Sequence, residues 1–240
     1  MKWTGKYRTL STDTDLNNIV SPTNLLRYMQ DSAFSEMKAD GESYDDLFSR
    51  GLSFVLSRMR VSFYAPVRAS DELECQTWTC ESRGVQFNRC YRVLRSGIIV
   101  AEAVSVWALI GTEDRKLHRV SELGPMYCED EMLELDMPAR FRIPEDVSLS
   151  LMGEKTVCYP DADLNGHMNN TRYADMLCGF ACGMQGRRLI SMGISYVSEA
   201  PLDETLKVYV GSGDGTYYVR TVRPDGRTNV EAELIFENLE

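Results

Sequence analysis

Two short stretches decide how this chain is organised: residues 163–170 read DLNGHMNN, and residues 15–22 read DLNNIVSP. When residue 163 is set against residue 15, an offset of 148 residues, the blocks 13–23 and 161–171 agree at five of eleven positions. A histidine, His167, occurs only in the second block. A unit that occurs twice indicates an internal repeat. The sequence therefore predicts two similar halves, with a titratable group added in the second.

A helix is expected directly after each block. Apolar residues recur there at helical spacing, namely Leu25, Tyr28, Met29 and Ala33 in the first half and Tyr173, Met176, Leu177, Phe180, Ala181 and Met184 in the second. Ser21 followed by Pro22 is typical of an N-cap and a first helical residue. By alignment, Asn169 is predicted to cap the second helix.

Strand-like segments follow both helices. Residues 52–64 and 189–197 alternate in part, and each run leads into an Ala-Pro pair, with two extra residues, Ser198 and Glu199, before the second pair. Further strands are expected at 72–80, 85–94, 98–110, 205–210, 217–222 and 229–236. One long helix with several antiparallel strands in each half predicts an α+β fold.

The organisation expected from these patterns is an N-terminal unit at residues 1–125, a linker at 126–150 and a C-terminal unit at 151–240. The stretch 121–150 holds three prolines and an acidic run. It is predicted to pack across the surface with at most one short helix.

Composition narrows the function. The net charge of −10 disfavours nucleic-acid binding, and no run of residues has the length and apolarity of a signal peptide or membrane span. We therefore expect a cytoplasmic protein. Seven cysteines without a CxxC pair predict reduced thiols and neither a disulfide framework nor a metal site, and Cys178 and Cys182 are expected to be packing or incidental residues. No cofactor is expected.

The motif D-x-N-x-H-x-x-N, formed by Asp163, Asn165, His167 and Asn170 and followed by Arg172-Tyr173, resembles that of the acyl-ACP thioesterases of plants and bacteria. Residues 194–199, ISYVSE, are similar to the strand of that family that ends in a catalytic glutamate, here Glu199. Residues 56–58, 71–73 and 103–107 extend the resemblance over the first half. Plant members carry a cysteine directly after the glutamate, whereas this chain has Ala200, which puts a cysteine nucleophile in doubt.

The resemblance implies two tandem hotdog repeats, each a long helix wrapped by an antiparallel sheet, and hydrolysis of an acyl thioester on acyl carrier protein to release a free fatty acid. Glu199 would act as the general base, although a transient anhydride on the same residue stays open. His167 and Asn165 would orient water or stabilise the oxyanion, together with free N–H groups at the start of the second helix. Asp163 would orient Asn165 or His167, or serve the loop structure alone.

The N-terminal unit is expected to line the acyl pocket with Leu25, Leu26 and Met29, and Asn170 and Arg172 are expected to contact the substrate. Because acyl carrier protein is acidic, a local basic surface is also expected. Candidates are the four arginines between residues 82 and 101, with further cations just beyond them: Arg83, Arg89, Arg92 and Arg95, then Arg115, Lys116 and Arg119.

Two other functions fit these residues. An acyl-CoA thioesterase of the same fold would have a nucleotide pocket in place of the carrier surface. A non-catalytic acyl-binding protein is disfavoured by the presence of both His167 and Glu199. Glu199 could also be a solvated charge at the end of a strand. Acyl chain length and the choice between monomer and homodimer cannot be read from the sequence.

Overall fold

The computed structural model describes residues 2–41, 43–122, 131–181 and 184–239. The first half contributes β1 (Trp3–Arg8), α1 (Pro22–Ala39), α2 (Tyr44–Ser49), β2 (Leu52–Phe63), β3 (Glu72–Thr79), β4 (Phe87–Arg95), β5 (Ile98–Gly111) and β6 (Leu117–His118). The second half contributes β7 (Ser150–Thr156), α3 (Arg172–Ala181), β8 (Arg187–Tyr196), β9 (Thr205–Gly213), β10 (Thr216–Val222) and β11 (Thr228–Asn238). Short 3-10 turns cover Ser11–Asp13, Val120–Glu122 and Tyr159–Asp161.

All eleven of these strands join one antiparallel sheet. Its order is β1-β3-β4-β5-β2-β8-β11-β10-β9-β7, with β6 paired to β5 outside this path. Reading outward from the centre, the second half repeats the arrangement of the first half strand by strand. The halves meet where residues 58–62 of β2 pair with residues 191–195 of β8. The predicted α+β class is confirmed, whereas β1, α2, β6 and β7 were not predicted.

The helix α1 begins as its sequence predicts. The side chain of Ser21 accepts a hydrogen bond from the N–H of Asn24, and Pro22 is the first helical residue. The predicted apolar face is buried at Leu25, Met29 and Ala33. Because these side chains face the sheet, the main core lies between the helices and the sheet.

The helix α3 departs from its prediction at both ends. It starts at Arg172, two residues later than alignment with Pro22 would place it. The Asn169 side chain still accepts from the N–H of Thr171, at 2.9 Å. The described part of the helix runs to Ala181, and Met184 is not helical. Cys178 is buried in the core, where the apolar stripe did not place it, and Cys182 lies outside the described residues.

The predicted two-residue extension before Ala200 is wrong. Within residues 64–71 and 197–204, the groups that make equivalent backbone hydrogen bonds lie at a constant offset of 133 residues. Ser70 and Asp203, which this offset pairs, both have positive φ, at 70° and 67°. Glu199 therefore replaces Pro66 without any insertion. The matching bonds run from Tyr64 N to Val100 O and Val197 N to Asn229 O, from Val20 N to Val67 O and Met168 N to Ala200 O, and from Thr9 N to Asp71 O and Val157 N to Glu204 O.

The connection between the halves crosses the face of the sheet opposite α1. Its described part, residues 131–149, contains no helix. Phe141 is buried there, and its N–H donates to Ser195 Oγ at 2.9 Å. Trp78 Nε1 donates to the carbonyl of Glu131 at 2.6 Å. The connection thus covers a second, smaller apolar cluster formed by Trp78, Cys80, Cys90, Val104 and Leu133.

Candidate active site

The loop that carries His167 is held by its own backbone and by Asp163. The Asp163 carboxylate accepts from the N–H of Asn165 at 2.8 Å, and the backbone N–H of Asp163 donates to the carbonyl of His167 at 2.9 Å. Gly166 has φ of 74°, the left-handed conformation that a side chain disfavours. Asp163 therefore fixes the path of the loop by an Asx turn, and no hydrogen bond of its carboxylate to the His167 or Asn165 side chain occurs among the described residues.

The first half builds the same loop. The Asp15 carboxylate accepts from the N–H of Asn17 at 2.8 Å and from that of Ile19 at 3.2 Å. Asn18, which corresponds to Gly166, also has positive φ, at 56°. The Asp-x-Asn sequence is thus a scaffold that both halves use.

A second set of backbone bonds brings Glu199 to His167. Met168 donates to the carbonyl of Ala200 at 2.8 Å, and Leu202 donates to the carbonyl of Gly166 at 2.9 Å. As a result, His167 Nε2 lies 3.6 Å from Glu199 Oε2, with the two side chains 29% and 37% exposed. This distance is slightly longer than a direct hydrogen bond. One water molecule could contact both groups, as a general-base step requires.

The structure adds Arg115, which the sequence analysis treated only as one cation among several. Arg115 lies in the turn between β5 and β6 and has φ of 58°. Its guanidinium reaches across from the first half and contacts Glu199 Oε1 at 2.5 Å. Nothing in the linear sequence distinguishes Arg115 from the neighbouring Lys116. The contact results from the way the hairpin folds beside the second half.

Tyr44 is a second unpredicted residue of the site. It begins α2, and its hydroxyl donates to Asn165 Oδ1 at 3.2 Å and contacts Ser53 Oγ at 3.0 Å. Because this hydroxyl occupies the amide oxygen, the Asn165 Nδ2 group is left to donate elsewhere. Both halves of the chain therefore contribute to one cluster.

The N–H groups expected to be free at the start of α3 are mostly engaged. Asn169 accepts from Thr171 through its side chain and from Arg172 through its carbonyl. Thr23 Oγ1 accepts from the N–H of Asp175 at 3.2 Å. Tight packing of the two helix starts against each other causes this pairing. Asn165 and His167 remain the better oxyanion donors.

The structure does not gather the predicted substrate-binding residues into one place. Leu25, Leu26 and Met29 are buried core residues, and Leu25 also lines a crevice of about 30 Å³ beside Pro66. Asn170 faces β8, where its carbonyl accepts from the Tyr196 hydroxyl at 3.0 Å. Arg172 lines a separate cavity of about 510 Å³ beside α3.

The four arginines of the predicted carrier surface do not form one exposed basic patch. Arg89 lies on the helix side of β4, is buried and pairs with Glu36 of α1. Arg92 lies on the opposite face and pairs with Glu102 at 2.7 Å. Strand alternation explains this separation. The other two are also paired with carboxylates, Arg83 with Glu81 and Arg95 with Asp71.

Ala200 is buried and offers no nucleophile beside Glu199. In the described part of the chain, no helix is long and apolar enough to span a bilayer. The same residues contain no group of three or more His, Cys, Asp or Glu side chains placed to hold a metal ion.

The fold and site define a class of protein: an α+β double hotdog with a histidine in the loop before α3 and a glutamate beyond the end of β8. Family models match both halves: the acyl-ACP thioesterase N-terminal domain matches residues 1–123, and the C-terminal domain matches residues 145–238. The chain therefore belongs to the acyl-ACP thioesterase family.

Solved structures of low sequence identity have the same fold. An acyl-ACP thioesterase from Bacteroides thetaiotaomicron superposes with a TM-score of 0.88 at 21% identity, covering 98% of each chain. The 12:0-ACP thioesterase from Umbellularia californica gives a TM-score of 0.84 at 18% identity, covering 99% of this chain and 97% of that one. The predicted tandem hotdog architecture is thus confirmed.

Among curated relatives, the chloroplastic palmitoyl-acyl carrier protein thioesterase of Arabidopsis thaliana is 25% identical over 199 residues, which are 76% of this chain and 48% of the relative. A chloroplastic acyl-[acyl-carrier-protein] hydrolase of Cuphea viscosissima is 24% identical over 230 residues, 88% of this chain and 53% of the relative. The chain thus spans about half the length of these relatives.

Proposed function

We propose that this protein hydrolyses the thioester of a fatty acyl chain on acyl carrier protein and releases the free acid, ending chain elongation. The observation that carries the proposal is the approach of Glu199 to His167 at 3.6 Å, on a loop and strand end whose counterparts in the first half are apolar. Family membership supports the thioester substrate, and the names of the curated relatives support acyl carrier protein as its carrier.

In the proposed reaction, Glu199 Oε2 takes a proton from a water molecule held between it and His167 while the water oxygen attacks the thioester carbonyl. A positioned base contributes about 10²–10⁴-fold. The Asn165 amide and the His167 imidazole donate to the oxyanion, each such donor contributing roughly 3–4 kcal/mol. Collapse of the tetrahedral intermediate breaks the C–S bond and expels the thiolate, which takes the proton from Glu199 and so restores the base. Arg115 holds the other oxygen of Glu199, so the carboxylate stays in place.

The two halves have different parts in this proposal. The second half, residues 151–240, carries the chemistry, and the first half, residues 1–125, holds the acyl chain, with 126–150 linking them. Leu25 borders the crevice beside Pro66, which at about 30 Å³ would have to widen to admit an acyl chain, and Leu26 and Met29 pack behind it in the same core cluster. Asn170 and Arg172, the other predicted substrate contacts, are not assigned to the acyl site, because Asn170 faces β8 and Arg172 lines the separate cavity beside α3. We place the protein in the cytoplasm.

Carrier docking is proposed on the cations around Arg115 and not on the arginines of β4. Arg115 contacts Glu199, and Lys116 and Arg119 are exposed beside it. Exposed cations near the reacting group suit an acidic carrier. Reversing charge at Lys116 and Arg119 together should raise KM for acyl-ACP and leave the hydrolysis of a short carrier-free thioester unchanged. Equal effects on both substrates would place docking elsewhere.

The function itself is tested with acyl-ACP and acyl-CoA of equal chain length, assayed for free acid. Hydrolysis of acyl-ACP with a higher kcat/KM than acyl-CoA is expected. The matched control is the double variant His167→Ala, Glu199→Ala, purified in the same way and checked for folding by circular dichroism. Faster turnover of acyl-CoA would make the protein a CoA thioesterase. Acyl binding without turnover of either substrate would make it a binding protein.

A further inference from the structure

A cavity of about 510 Å³ lies between α3, β7 and the start of α1, apart from the His167 and Glu199 side chains. Its volume is within the range of about 300–1,000 Å³ found for small-molecule sites. It is lined by Thr23, Lys155, Asp161, Met168, Arg172, Asp175, Met176, Gly179 and Phe180. No residue of this set had been predicted to form a pocket except Arg172.

The first half shows why this space exists. At the corresponding place, the rings of Tyr7 and Tyr28 stack with centroids 4.7 Å apart. Their hydroxyls donate to Asp31 at 2.9 Å and to Asp13 at 2.7 Å. At the offset of 148 residues, the counterparts of Tyr7, Tyr28 and Asp31 are Lys155, Met176 and Gly179. Two aromatic rings and a carboxylate are thus replaced by slender side chains and a glycine, and the filled position becomes a cavity.

The charged groups of the cavity leave one cation available. Lys155 Nζ pairs with Asp161 Oδ2 at 2.5 Å. Burial raises the pKa of Asp161, but hydrogen bonds from Lys155 and from the N–H of Cys158 bring it below its usual value, so the carboxyl stays ionised. Asp175 accepts from Ser21 Oγ at 2.9 Å and from the N–H of Thr23 at 3.0 Å. Within the described ranges, the Arg172 guanidinium makes no hydrogen bond or ion pair, although its charge is among those that lower the pKa of Asp161.

Apolar side chains form the rest of the wall. Met168 is buried, and Met176 and Phe180 are half-buried on the cavity side of α3. Gly179 is exposed, and a Cβ built on it would meet nothing within 4 Å. An open apolar wall beside an unpaired guanidinium matches an amphiphilic anion, since Arg binds carboxylates through two parallel N–H groups.

We propose that this cavity binds a linear fatty acid, with its carboxylate on Arg172 and its chain along Met168, Met176 and Phe180. Two kinds of molecule contain such a chain. A free fatty acid has the carboxylate, and an acyl ester or thioester lacks it. The Arg172 guanidinium selects the free acid. The site would fill whether or not the protein hydrolyses thioesters, and it is separate from the acyl-binding region assigned to the first half.

Photo-crosslinking locates the site directly. A medium-chain fatty acid with a terminal diazirine is irradiated with the protein, and the adduct is mapped by mass spectrometry after trypsin digestion. Labelling is expected on residues 173–187, a single tryptic fragment that contains Met176 and Phe180. The matching diazirine methyl ester should label this fragment at least about tenfold less, because it cannot form the charge-assisted bonds to Arg172.

Two variants and a matched control complete the test. Gly179→Phe should fill the cavity and abolish labelling of this fragment, whereas Gly179→Ala has the same helix backbone and should label normally. Arg172→Gln should weaken binding of the acid by about 10–100-fold, the loss expected for a charge-assisted hydrogen bond, and leave the ester unaffected. Equal labelling of Gly179→Phe and Gly179→Ala, equal labelling by acid and ester, or adducts confined to the fragment that contains Leu25 would overturn the proposal. None of these outcomes bears on thioester hydrolysis.

Discussion

The loops at residues 15–21 and 163–169 have the same backbone and different chemistry. Each is closed by an aspartate that accepts from the N–H two residues ahead, at 2.8 Å in both cases. The chemical difference lies at two positions. Ile19, which is buried, corresponds to His167, and Pro66 corresponds to Glu199. The comparison teaches that the two residues proposed to react, His167 and Glu199, stand on a scaffold that needs neither of them.

The two asparagines of these loops show how one residue type serves two purposes. Asn17 donates to the carbonyls of Met184 and Arg187 at 2.7 and 2.9 Å, and accepts from the N–H of Gly186 at 2.9 Å. It therefore ties the first loop to the second half. Asn165 accepts only from Tyr44 among the described residues. Its amide N–H groups stay available, as an oxyanion donor requires.

The largest effect is expected when the reactive pair is replaced by its counterparts. The double change His167→Ile, Glu199→Pro should lower kcat for acyl-ACP by about 10²–10⁴-fold, the usual contribution of a positioned base. Folding should persist, because the same backbone already accommodates isoleucine and proline in the first half. Steady-state kinetics measures kcat, and the melting temperature measures the stability of the fold. The reverse change, Ile19→His with Pro66→Glu, should add no second site, and a kcat near wild type in the first variant would remove the pair from the mechanism.

The second largest effect concerns stability. Glu36 and Arg89 form an ion pair whose side chains are 8% and 11% exposed. The offset of 148 residues aligns Glu36 with Met184. Arg89 corresponds to Tyr217, because Arg89 pairs with Ser105 of β5 and Tyr217 pairs with Leu234, the counterpart of Ser105 in β11. Glu36→Ala should lower the free energy of unfolding by about 3–5 kcal/mol, because Arg89 would be left buried and unpaired. The double variant Glu36→Met, Arg89→Tyr should lose much less. Urea denaturation measures these free energies. Equal losses in the single and the double variant would show that the two halves do not tolerate the same packing here.

The comparison of Asn17 with Asn165 predicts smaller effects of two kinds. One variant should lose stability, and the other should lose activity. Asn17→Ala should cost about 1–2 kcal/mol of stability, because three backbone groups lose a partner, with catalytic constants retained. Asn165→Ala should change stability by less than about 0.5 kcal/mol and lower kcat. Thermal unfolding and kinetics on both variants are needed. A larger loss of stability in Asn165→Ala than in Asn17→Ala would contradict the assignment of a structural role to Asn17 and a catalytic role to Asn165.

The smallest effect is expected at Arg115. Its pair with Glu199 is half exposed, and such pairs contribute about 0–1 kcal/mol. Arg115→Ala should therefore lower kcat by no more than about tenfold, with partial recovery in Arg115→Lys. Lys116→Ala is the matched control when both variants are assayed on a short carrier-free thioester, since Lys116 lies in the same turn, pairs with Asp114 instead and is proposed to contact only the carrier. A similar loss in both variants would indicate a general charge effect.

Local sequence signals predicted much of this molecule. The repeated Asp-x-Asn block, the Ser21 cap and the apolar spacing of α1 all correspond to contacts within a few residues, which is why they can be read in one dimension. No side chain of the edge strands β1 and β7 is buried. In β7 the missing buried face leaves little alternation of apolar and polar residues, whereas β1 alternates between half-buried and exposed side chains over only six residues.

Long-range contacts could not be read from the chain. The contact of Arg115 with Glu199 joins residues 84 positions apart, and strand alternation places Arg89 and Arg92 on opposite faces despite their nearness in sequence. Aligning the two Ala-Pro pairs gave the wrong register, because matching residue types do not show which backbone positions correspond in space. The backbone hydrogen bonds from Met168 and Val20 establish that register in space.

The turn between β5 and β6 precedes the connection between the halves, yet its arginine holds a carboxylate that lies after it. A crossover in residues 131–149 would therefore inherit Glu199 from one parent and its holding cation from the other. Such a recombinant should keep its full rate only when the parent that supplies the first half carries a cation at this turn. The turn and the second half should therefore be exchanged together, even though residues 131–149 separate them in the sequence.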